Sequence, residues 1–279
     1  MCWSSDHLQW LTDTGERLTT ADGLGIEVWE FTHCDNNEIL SSWASHFRNH
    51  YCLDSEIDLL RGKKDKSDYL EDIKFPSKNT KLGPGIRAGD FGEILIADYL
   101  EWVLGHWVPR VRWGSKMIRD ESPKGTDVLG FRFHNKDRKA SKRDVLFVFE
   151  SKTKFSKSGG NRLQIAINDS AKDHLRIDES LNYIKQKFID KRELDKAKDI
   201  ERYQSPVDLA YKENYGAAAV VSNDYYDTDQ LEESDCTQIL KSKKIICHPN
   251  RDNLVLLVIK GASMMDLVHD LYGRAASEA

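Results

Sequence analysis

The segment GTDVLGFRFHNKDRKASKRDVLFVFESK (125–152) contains two apolar stretches on either side of a basic loop. DVLGFRF (127–133) and DVLFVFESK (144–152) are rich in aromatic and β-branched residues, a composition typical of buried strands. NKDRKASKRD (135–144) is polar and charged, as expected of a connecting loop. The pattern predicts an antiparallel hairpin, which decides the fold class and the place of the candidate active site.

Acidic and basic side chains gather at one end of this predicted hairpin. In an antiparallel pairing around the loop, partner positions sum to about 278, which places Asp127 across from Ser151. Alternate side chains of a strand share a face, so Glu150 and Lys152 project together. Two carboxylates and a lysine are therefore expected to converge at this end of the hairpin.

A third carboxylate lies on a helix predicted upstream of the hairpin. GIRAGDFGEILIADYLEWVLG (85–105) is apolar on most faces, which is typical of a buried helix. Glu93 shares a stripe of this helix with Ala97, Leu100 and Leu104. A buried carboxylate is costly unless a cation or a hydrogen-bond donor meets it, so Glu93 is expected to face such a group.

Clustered carboxylates of this kind bind hard divalent cations. Mg²⁺ takes one or two protein carboxylates and completes its coordination with water and phosphate oxygens. We therefore predict a catalytic metal site formed by Asp127, Glu150 and Glu93, with Mg²⁺ as the cation and Mn²⁺ as its substitute. Lys152 would complete the catalytic set by positioning the attacking water or stabilising the developing negative charge.

Each of these residues also has an ordinary structural explanation. A same-face ion pair of Glu150 and Lys152 is common at strand ends, Asp127 could cap a turn, and Glu93 could pair with Arg87 or Arg110. Their occurrence together, in the order helical Glu, strand-initial Asp and strand-final Glu-x-Lys, favours catalysis over these separate explanations.

The rest of the chain predicts a mixed sheet between two layers of helices. Residues 1–81 form an N-terminal α/β region with a charged linker over 62–85, and residues 82–279 form a core with a C-terminal β-α extension. Further strands are predicted over 24–31, 108–113, 215–224 and 253–261, and further helices over 36–47, 54–61, 161–203, 229–242 and 263–275. This order predicts an α/β fold with helices on both faces of the sheet.

The charge of the chain is unevenly distributed. Of 279 residues with a formal net charge of −5, residues 110–162 contain 15 Lys or Arg against 6 Asp or Glu, a local net charge of +9. A basic middle inside an acidic protein is expected to meet a polyanion such as DNA, although a solvated loop explains the excess equally well. The predicted DNA contacts are Arg138, Lys139, Lys142, Arg143 and Lys154.

Several classes of protein are excluded by the sequence. It contains no GxxxxGK[ST] motif, so ATP hydrolysis through a P-loop is not expected. Five scattered cysteines without a CxxC pair favour neither a disulfide framework nor a zinc ribbon. No apolar run reaches the roughly 18 residues of a membrane span, and the N-terminus lacks the features of a secretory signal. We therefore predict a cytoplasmic protein without membrane association.

The motifs resemble those of a known nuclease superfamily. GTD, a hydrophobic strand and ESK are similar to the PD-(D/E)xK motif, with Asp127, Glu150 and Lys152 at its three positions. Thr126 stands where the motif has proline, a departure that is frequent in the superfamily. Glu93 matches the acidic residue that many members carry on the preceding helix. The resemblance implies a restriction-endonuclease-like core.

Over longer stretches the chain resembles the HamA family, the nuclease subunit of the bacterial Hachiman anti-phage system. The likeness is carried by GIRAGDFGEILIADYLEW (85–102), VPRVRWGSKMIRDESPKGTDVLGF (108–131) and FVFESKTKFS (147–156), and is strongest over residues 83–175. It implies a metal-dependent DNase in a heteromeric complex with a superfamily 2 helicase, HamB, which regulates it. The alternative is a catalytically silent subunit that keeps a nuclease fold for interaction or DNA binding.

Overall fold

The computed structural model describes residues 3–157, 160–207, 209–241 and 244–279. Its strands are, in chain order, β1 (Leu11–Thr19), β2 (Gly25–Phe31), β3 (Val128–Arg132), β4 (Val145–Lys154), β5 (Lys212–Ser222), β6 (Ile239–Lys241), β7 (Lys244–Ile246) and β8 (Leu254–Gly261). β6 and β7 pair with each other, and the remaining strands form one six-stranded sheet in the order β1-β2-β8-β5-β4-β3. The sheet is mixed as predicted, because β2, β8, β5 and β4 are parallel neighbours and both outer pairs are antiparallel.

Helices cover both faces of this sheet. They are, in chain order, α1 (Asn37–Tyr51), α2 (Asp54–Leu60), α3 (Lys66–Tyr69), α4 (Gly83–Asp98), α5 (Arg162–Ser170), α6 (Ile177–Asp190), α7 (Leu194–Glu201), α8 (Thr228–Glu232) and α9 (Met264–Ser277). One apolar core joins the sheet to α1, α4 and α9, and a second joins its other face to α5, α6 and α7. The predicted α/β architecture is therefore confirmed. In the described part of the chain, no helix combines the length and apolar character needed to cross a bilayer.

Strand β4 lies inside the sheet and is buried on both sides. Phe149 belongs to the core on the α4 side, whereas Val148 belongs to the core on the α5 side. Because neither face of such a strand meets solvent, its sequence is a continuous apolar run rather than an alternation. The apolar run ends before Glu150. Glu150 and Lys152 lie on the same face of the strand as Val148, which is the face toward α5.

The predicted hairpin is present as β3 and β4, with a pairing register that differs by one residue. Val128 pairs with Phe149, and Arg132 pairs with Val145. Continuing this register by one step places Asp127 beside Glu150 instead of Ser151. The convergence of the two carboxylates is therefore closer than the sequence arithmetic indicated.

The prediction of a strand over 108–113 is wrong. These residues have no regular strand structure, and only the neighbouring Trp107 makes an isolated bridge, to Phe131 of β3. Apolar residues alternate with arginines here because Arg110 and Arg112 extend into buried ion pairs rather than toward solvent. Alternating apolar and charged residues usually indicate a half-exposed strand. Here the same pattern arises because the arginines between the apolar residues are buried in ion pairs.

The helix predicted over 229–242 is also wrong, since α8 ends early and β6 follows it. The backbone N–H of Asp235 donates to the side chain of Gln164 on α5, at 2.7 Å, and the backbone N–H of Cys236 donates to Asp22 at 3.1 Å. These tertiary hydrogen bonds replace the intrahelical bonds that would continue α8.

The region 62–85, predicted as a linker, contains α3 and the first residues of α4. It is tied to the loop that precedes the hairpin. The Asp120 carboxylate accepts a hydrogen bond from the backbone N–H of Ser77 at 2.6 Å and another from the Thr80 hydroxyl at 3.0 Å. This region is therefore packed against the core rather than being a simple connector.

The N-terminal strands belong to the same sheet as the candidate site. Strand β2 pairs in parallel with β8, with Ile26 beside Leu256. The predicted regions 1–81 and 82–279 thus both contribute strands to one sheet, and the boundary between them stays a prediction.

Two buried histidines are expected to make folding stability depend on pH. Burial lowers the pKa of His106 and of His248 from the ordinary 6.5 to about 4. Between these values the unfolded chain binds protons that the folded chain does not, so the contribution of these two histidines to the free energy of unfolding should fall as pH decreases from about 6.5 to 4. Urea unfolding of wild type and His106→Gln between pH 7.5 and 4.5 measures this. The variant should lose part of the slope, and the exposed control His134→Gln should keep it.

Candidate functional site

Three of the predicted residues meet at the end of the β3–β4 hairpin. The Lys152 Nζ lies 3.1 Å from Glu150 Oε2 and 3.8 Å from Asp127 Oδ2. Asp127 Oδ2 also accepts the backbone N–H of Ser151 at 3.1 Å. Both carboxylates are buried, with only 9 % and 2 % of Asp127 and Glu150 exposed. The structure therefore brings together the Asp, Glu and Lys that the sequence pattern singled out.

Glu93 reaches the same end of the sheet from α4. Its Oε2 accepts hydrogen bonds from the indole N–H of Trp113 and from Arg112 Nε, both at 3.2 Å. The Nη2 of Arg112 donates to Asp127 Oδ1 at 3.0 Å. One guanidinium thus joins Glu93 to Asp127, and it supplies the cation that the buried Glu93 was expected to face.

Arg112 is a residue of this site that sequence reasoning missed. Its guanidinium donates to the backbone carbonyls of Thr126 at 2.5 Å and Pro123 at 2.9 Å, in addition to its two carboxylates. It therefore holds the turn from which Asp127 begins. No sequence signal distinguishes this arginine, because it lies in a region with many basic residues.

Two acidic residues after β4 complete the cluster and were also missed. Asp169 Oδ2 lies 3.2 Å from Lys152 Nζ. Asp173 is fully buried; its Oδ1 accepts from the Thr126 hydroxyl at 3.3 Å, and its Oδ2 has no hydrogen-bond partner. Asp169 and Asp173 are four residues apart in the segment that follows the Glu-x-Lys strand, and this spacing is the sequence signal that could have identified them.

Burial and the proximity of other carboxyl groups disfavour ionisation of most carboxyl groups at this site. Burial raises the pKa of Glu93 to about 8 despite Arg112, and burial with the neighbouring Asp127 raises the pKa of Glu150 well above its usual range. Burial and Asp127 likewise raise the pKa of Asp173 to about 7. Asp127 differs, because Arg112 and Lys152 outweigh its burial and lower its pKa. Among the described residues, the five carboxyl groups of the cluster outnumber the three cations that pair with them, which are Arg112, Lys152 and Lys172.

This donor set fits a hard divalent cation. All candidate ligands are carboxylate oxygens, the type that Mg²⁺ and Mn²⁺ prefer, and the buried Asp173 carboxyl faces another acidic side chain, that of Glu150. The metal-binding roles of Asp127 and Glu150 stay predictions that this donor set fits. Direct participation of Glu93 stays a prediction, because Arg112 lies between it and Asp127.

A different group has the tightest metal-like geometry among the described residues. Candidate ligand atoms of His46, His50 and Asp98 all lie within 4.8 Å of one another. However, Arg110 Nη1 lies 2.6 Å from both Asp98 Oδ1 and His50 Nε2. Asp98 also accepts from His7 Nε2 at 2.9 Å. A guanidinium therefore takes the place that an ion would need, and this group is a buried ion-pair network.

Four of the predicted DNA contacts lie away from the carboxylates. The loop that carries Arg138, Lys139, Lys142 and Arg143 joins β3 to β4 at the opposite end of the hairpin, about 15 Å away by strand length. Arg138 forms an ion pair with Asp199.

Lys154 lies on the same strand as Lys152, one step further along its face. Its Nζ donates to Gln230 Oε1 at 2.7 Å. The contacts of all five basic residues with DNA stay predictions.

Gly92 lets α4 approach β4 closely enough to present Glu93. A Cβ on Gly92 would lie 2.4 Å from Thr153 Cγ2, whereas a Cβ on Gly89 would meet nothing within 4 Å. Gly92→Ala should therefore lower the free energy of unfolding by about 1–3 kcal/mol, because the helix and strand must separate. Gly89→Ala is the control, and better helix propensity should raise its stability by up to about 1 kcal/mol. Equal effects in urea unfolding would contradict this packing role.

Comparison with known proteins places the chain in a family. The HamA family model matches residues 5–275, which is nearly the whole chain. A search of curated proteins finds no match. The matched range includes every residue of the carboxylate cluster as well as the ion-pair network around Asp98. The chain therefore belongs to the HamA family, whose members act in Hachiman anti-phage defence.

Proposed function

We propose that this HamA protein is a Mg²⁺-dependent deoxyribonuclease with a PD-(D/E)xK-type active site. The observation that carries the proposal is the convergence of Asp127, Glu150 and Lys152 at one end of the hairpin, with Lys152 Nζ within 4 Å of both carboxylates. Arranged carboxylates with an adjacent lysine suit hydrolysis of a phosphodiester bond.

The charge states of the residues suggest their roles. Burial disfavours the ammonium of Lys152, but Asp127, Glu150 and Asp169 outweigh burial and raise its pKa. Lys152 therefore keeps its proton, and it would orient the attacking water or stabilise the phosphate as a fixed positive charge. Asp127 and Glu150 would hold a divalent cation, which supplies charge neutralisation at the phosphate and a more acidic bound water.

The proposal includes a partner and a place of action. A DNase without sequence preference would attack its host's DNA in the cytoplasm, so restraint is required. We propose that a HamB-type superfamily 2 helicase forms a complex with this chain and licenses cleavage. Binding of the two subunits without any change in nuclease activity would contradict the regulatory part alone.

The test is a cleavage assay on linear, circular and single-stranded DNA with Mg²⁺, Mn²⁺ or EDTA, with and without the helicase and ATP. Metal-dependent cleavage in any of these conditions supports the proposal. A folded protein that binds the helicase but cleaves no DNA under any condition would favour the alternative, a catalytically silent subunit.

The basic loop is expected to contact DNA phosphates without reading sequence. Replacing its four cations with glutamine should weaken DNA binding and reduce the slope of log K against log salt by about 3–4 units, because each phosphate contact contributes about 0.9. The variant set is Arg138, Lys139, Lys142 and Arg143. Fluorescence anisotropy between 50 and 300 mM salt measures the slope. An equal change on neutralising four lysines of α6, α7 and the turn between them would contradict a specific role for the loop. These control residues are Lys185, Lys191, Lys196 and Lys198.

A further inference from the structure

A cavity of about 400 Å³ opens beside the candidate active site. One wall is the loop over 108–129, and the other is the first half of α6. Arg112 and Asp127 belong both to its lining and to the carboxylate cluster. The cavity is therefore continuous with the place where a phosphodiester would be cleaved.

The lining combines apolar residues with charged ones. Its apolar residues are Val108, Val111, Met117, Ile118, Leu129 and Ile184. The lining also contains four cations, Arg110, Arg112, Lys116 and Lys124, and the carboxyl groups of Glu121, Asp127 and Glu179. Apolar walls suit a nucleobase, and the neighbouring lysines and arginines suit the phosphate attached to it.

An aromatic side chain is exposed in the wall of the cavity. Tyr183 is 40 % exposed although it is a large aromatic residue, and the Nζ of Lys187 lies 5.4 Å from its ring centroid. Met117 is fully exposed in the opposite wall. Because Lys187 lies over the Tyr183 ring, a nucleobase would stack on the face that Lys187 does not cover, and the ammonium would attract the attached phosphate.

We propose that this cavity receives one unpaired base of the DNA substrate, stacked on Tyr183, while the adjoining phosphodiester lies at Asp127 and Glu150. The inference rests on the proposed nuclease function and specifies its substrate class. The cavity can hold a single nucleotide but not a base pair, so duplex DNA would first have to unpair at a cost of a few kcal/mol. Single-stranded or frayed DNA is therefore the preferred substrate.

The experiment measures binding and cleavage of a 20-nucleotide strand containing 2-aminopurine and of its duplex. Proteins to compare are wild type, Tyr183→Ala, Tyr183→Trp and the control Ile189→Ala. Ile189 lies on the same helix, is also 40 % exposed and does not line the cavity. 2-Aminopurine fluorescence reports whether a base leaves its neighbours and stacks on protein, and binding is measured with Ca²⁺ to avoid cleavage.

Tyr183→Ala should weaken binding of the single strand about tenfold, since stacking on an aromatic residue is worth about 1–3 kcal/mol per base. Tyr183→Trp should retain binding, and Ile189→Ala should leave it unchanged. Equal affinity of Tyr183→Ala and wild type for the single strand, or an equal loss on both substrates, would overturn the base-binding role while leaving the nuclease proposal standing. A tenfold loss on the single strand, in a wild type that cleaves neither substrate with Mg²⁺ or Mn²⁺ whether or not the helicase and ATP are present, would instead overturn the nuclease proposal alone.

Discussion

Replacing Glu150 and Lys152 together with alanine is expected to reduce metal-dependent DNA cleavage by a factor of about 10³ or more. The double substitution removes a predicted metal ligand and a cation that contacts three carboxylates of the site. The fold should persist, because the raised pKa of Glu150 means that its charge is already disfavoured in the folded chain. Cleavage rates on linear DNA with Mg²⁺, together with urea unfolding, measure both effects.

A matched control is the pair Lys185 and Glu201, whose charged atoms lie 3.3 Å apart on α6 and α7. Alanine at both positions removes the same two residue types but should leave cleavage unchanged. If the folded double variant of Glu150 and Lys152 cleaved DNA at the wild-type rate, the proposed assignment of the active site would be wrong.

The second large effect concerns stability. Asp98→Ala is expected to lower the free energy of unfolding by about 3 kcal/mol, because it removes a fully buried carboxylate and leaves Glu101 as the remaining ion-pair partner of the buried Arg110. Asp98 is fully buried and accepts from His7, His46 and Arg110, which come from three different parts of the chain. These partners hold its pKa well below the usual range despite its burial.

Asp13→Ala provides the control for this prediction. Asp13 also forms an ion pair, with Arg17 at 2.7 Å, but both side chains are well exposed. Exposed pairs contribute about 0–1 kcal/mol, so the control should change stability little. Comparable losses for the two variants in urea unfolding would show that the buried network does not stabilise the fold.

Much of the site could be predicted from the sequence because its residues follow strand periodicity. Glu150 and Lys152 end an apolar run, and a hairpin register close to the true one places Asp127 beside them. The buried helix with Glu93 also follows from its apolar pattern. Local periodicity is sufficient in these cases because each side chain points in the direction that its own element dictates.

The remainder depends on tertiary contacts that no local pattern encodes. Arg110 and Arg112 alternate with apolar residues and indicate a half-exposed strand, yet each side chain is buried against carboxylates from α4. The partner of a long charged side chain is decided by the packing of distant elements. Packing of distant elements also explains why α8 ends at Glu232, because the backbone N–H of Asp235 then bonds to Gln164 on α5 instead of continuing the helix.

The pairing of β2 with β8 has a consequence for how the protein is made. Ile26 leaves the ribosome before its partner Leu256, which is synthesised 230 residues later. Contacts between residues this distant in sequence form late and slowly, because the long intervening chain must first be closed. The β1–β2 hairpin therefore cannot join the rest of the sheet before β8 is available. The sheet remains incomplete until residues 254–261 have emerged. Any activity that needs the complete sheet is therefore confined to chains in which residues 254–261 have already left the ribosome.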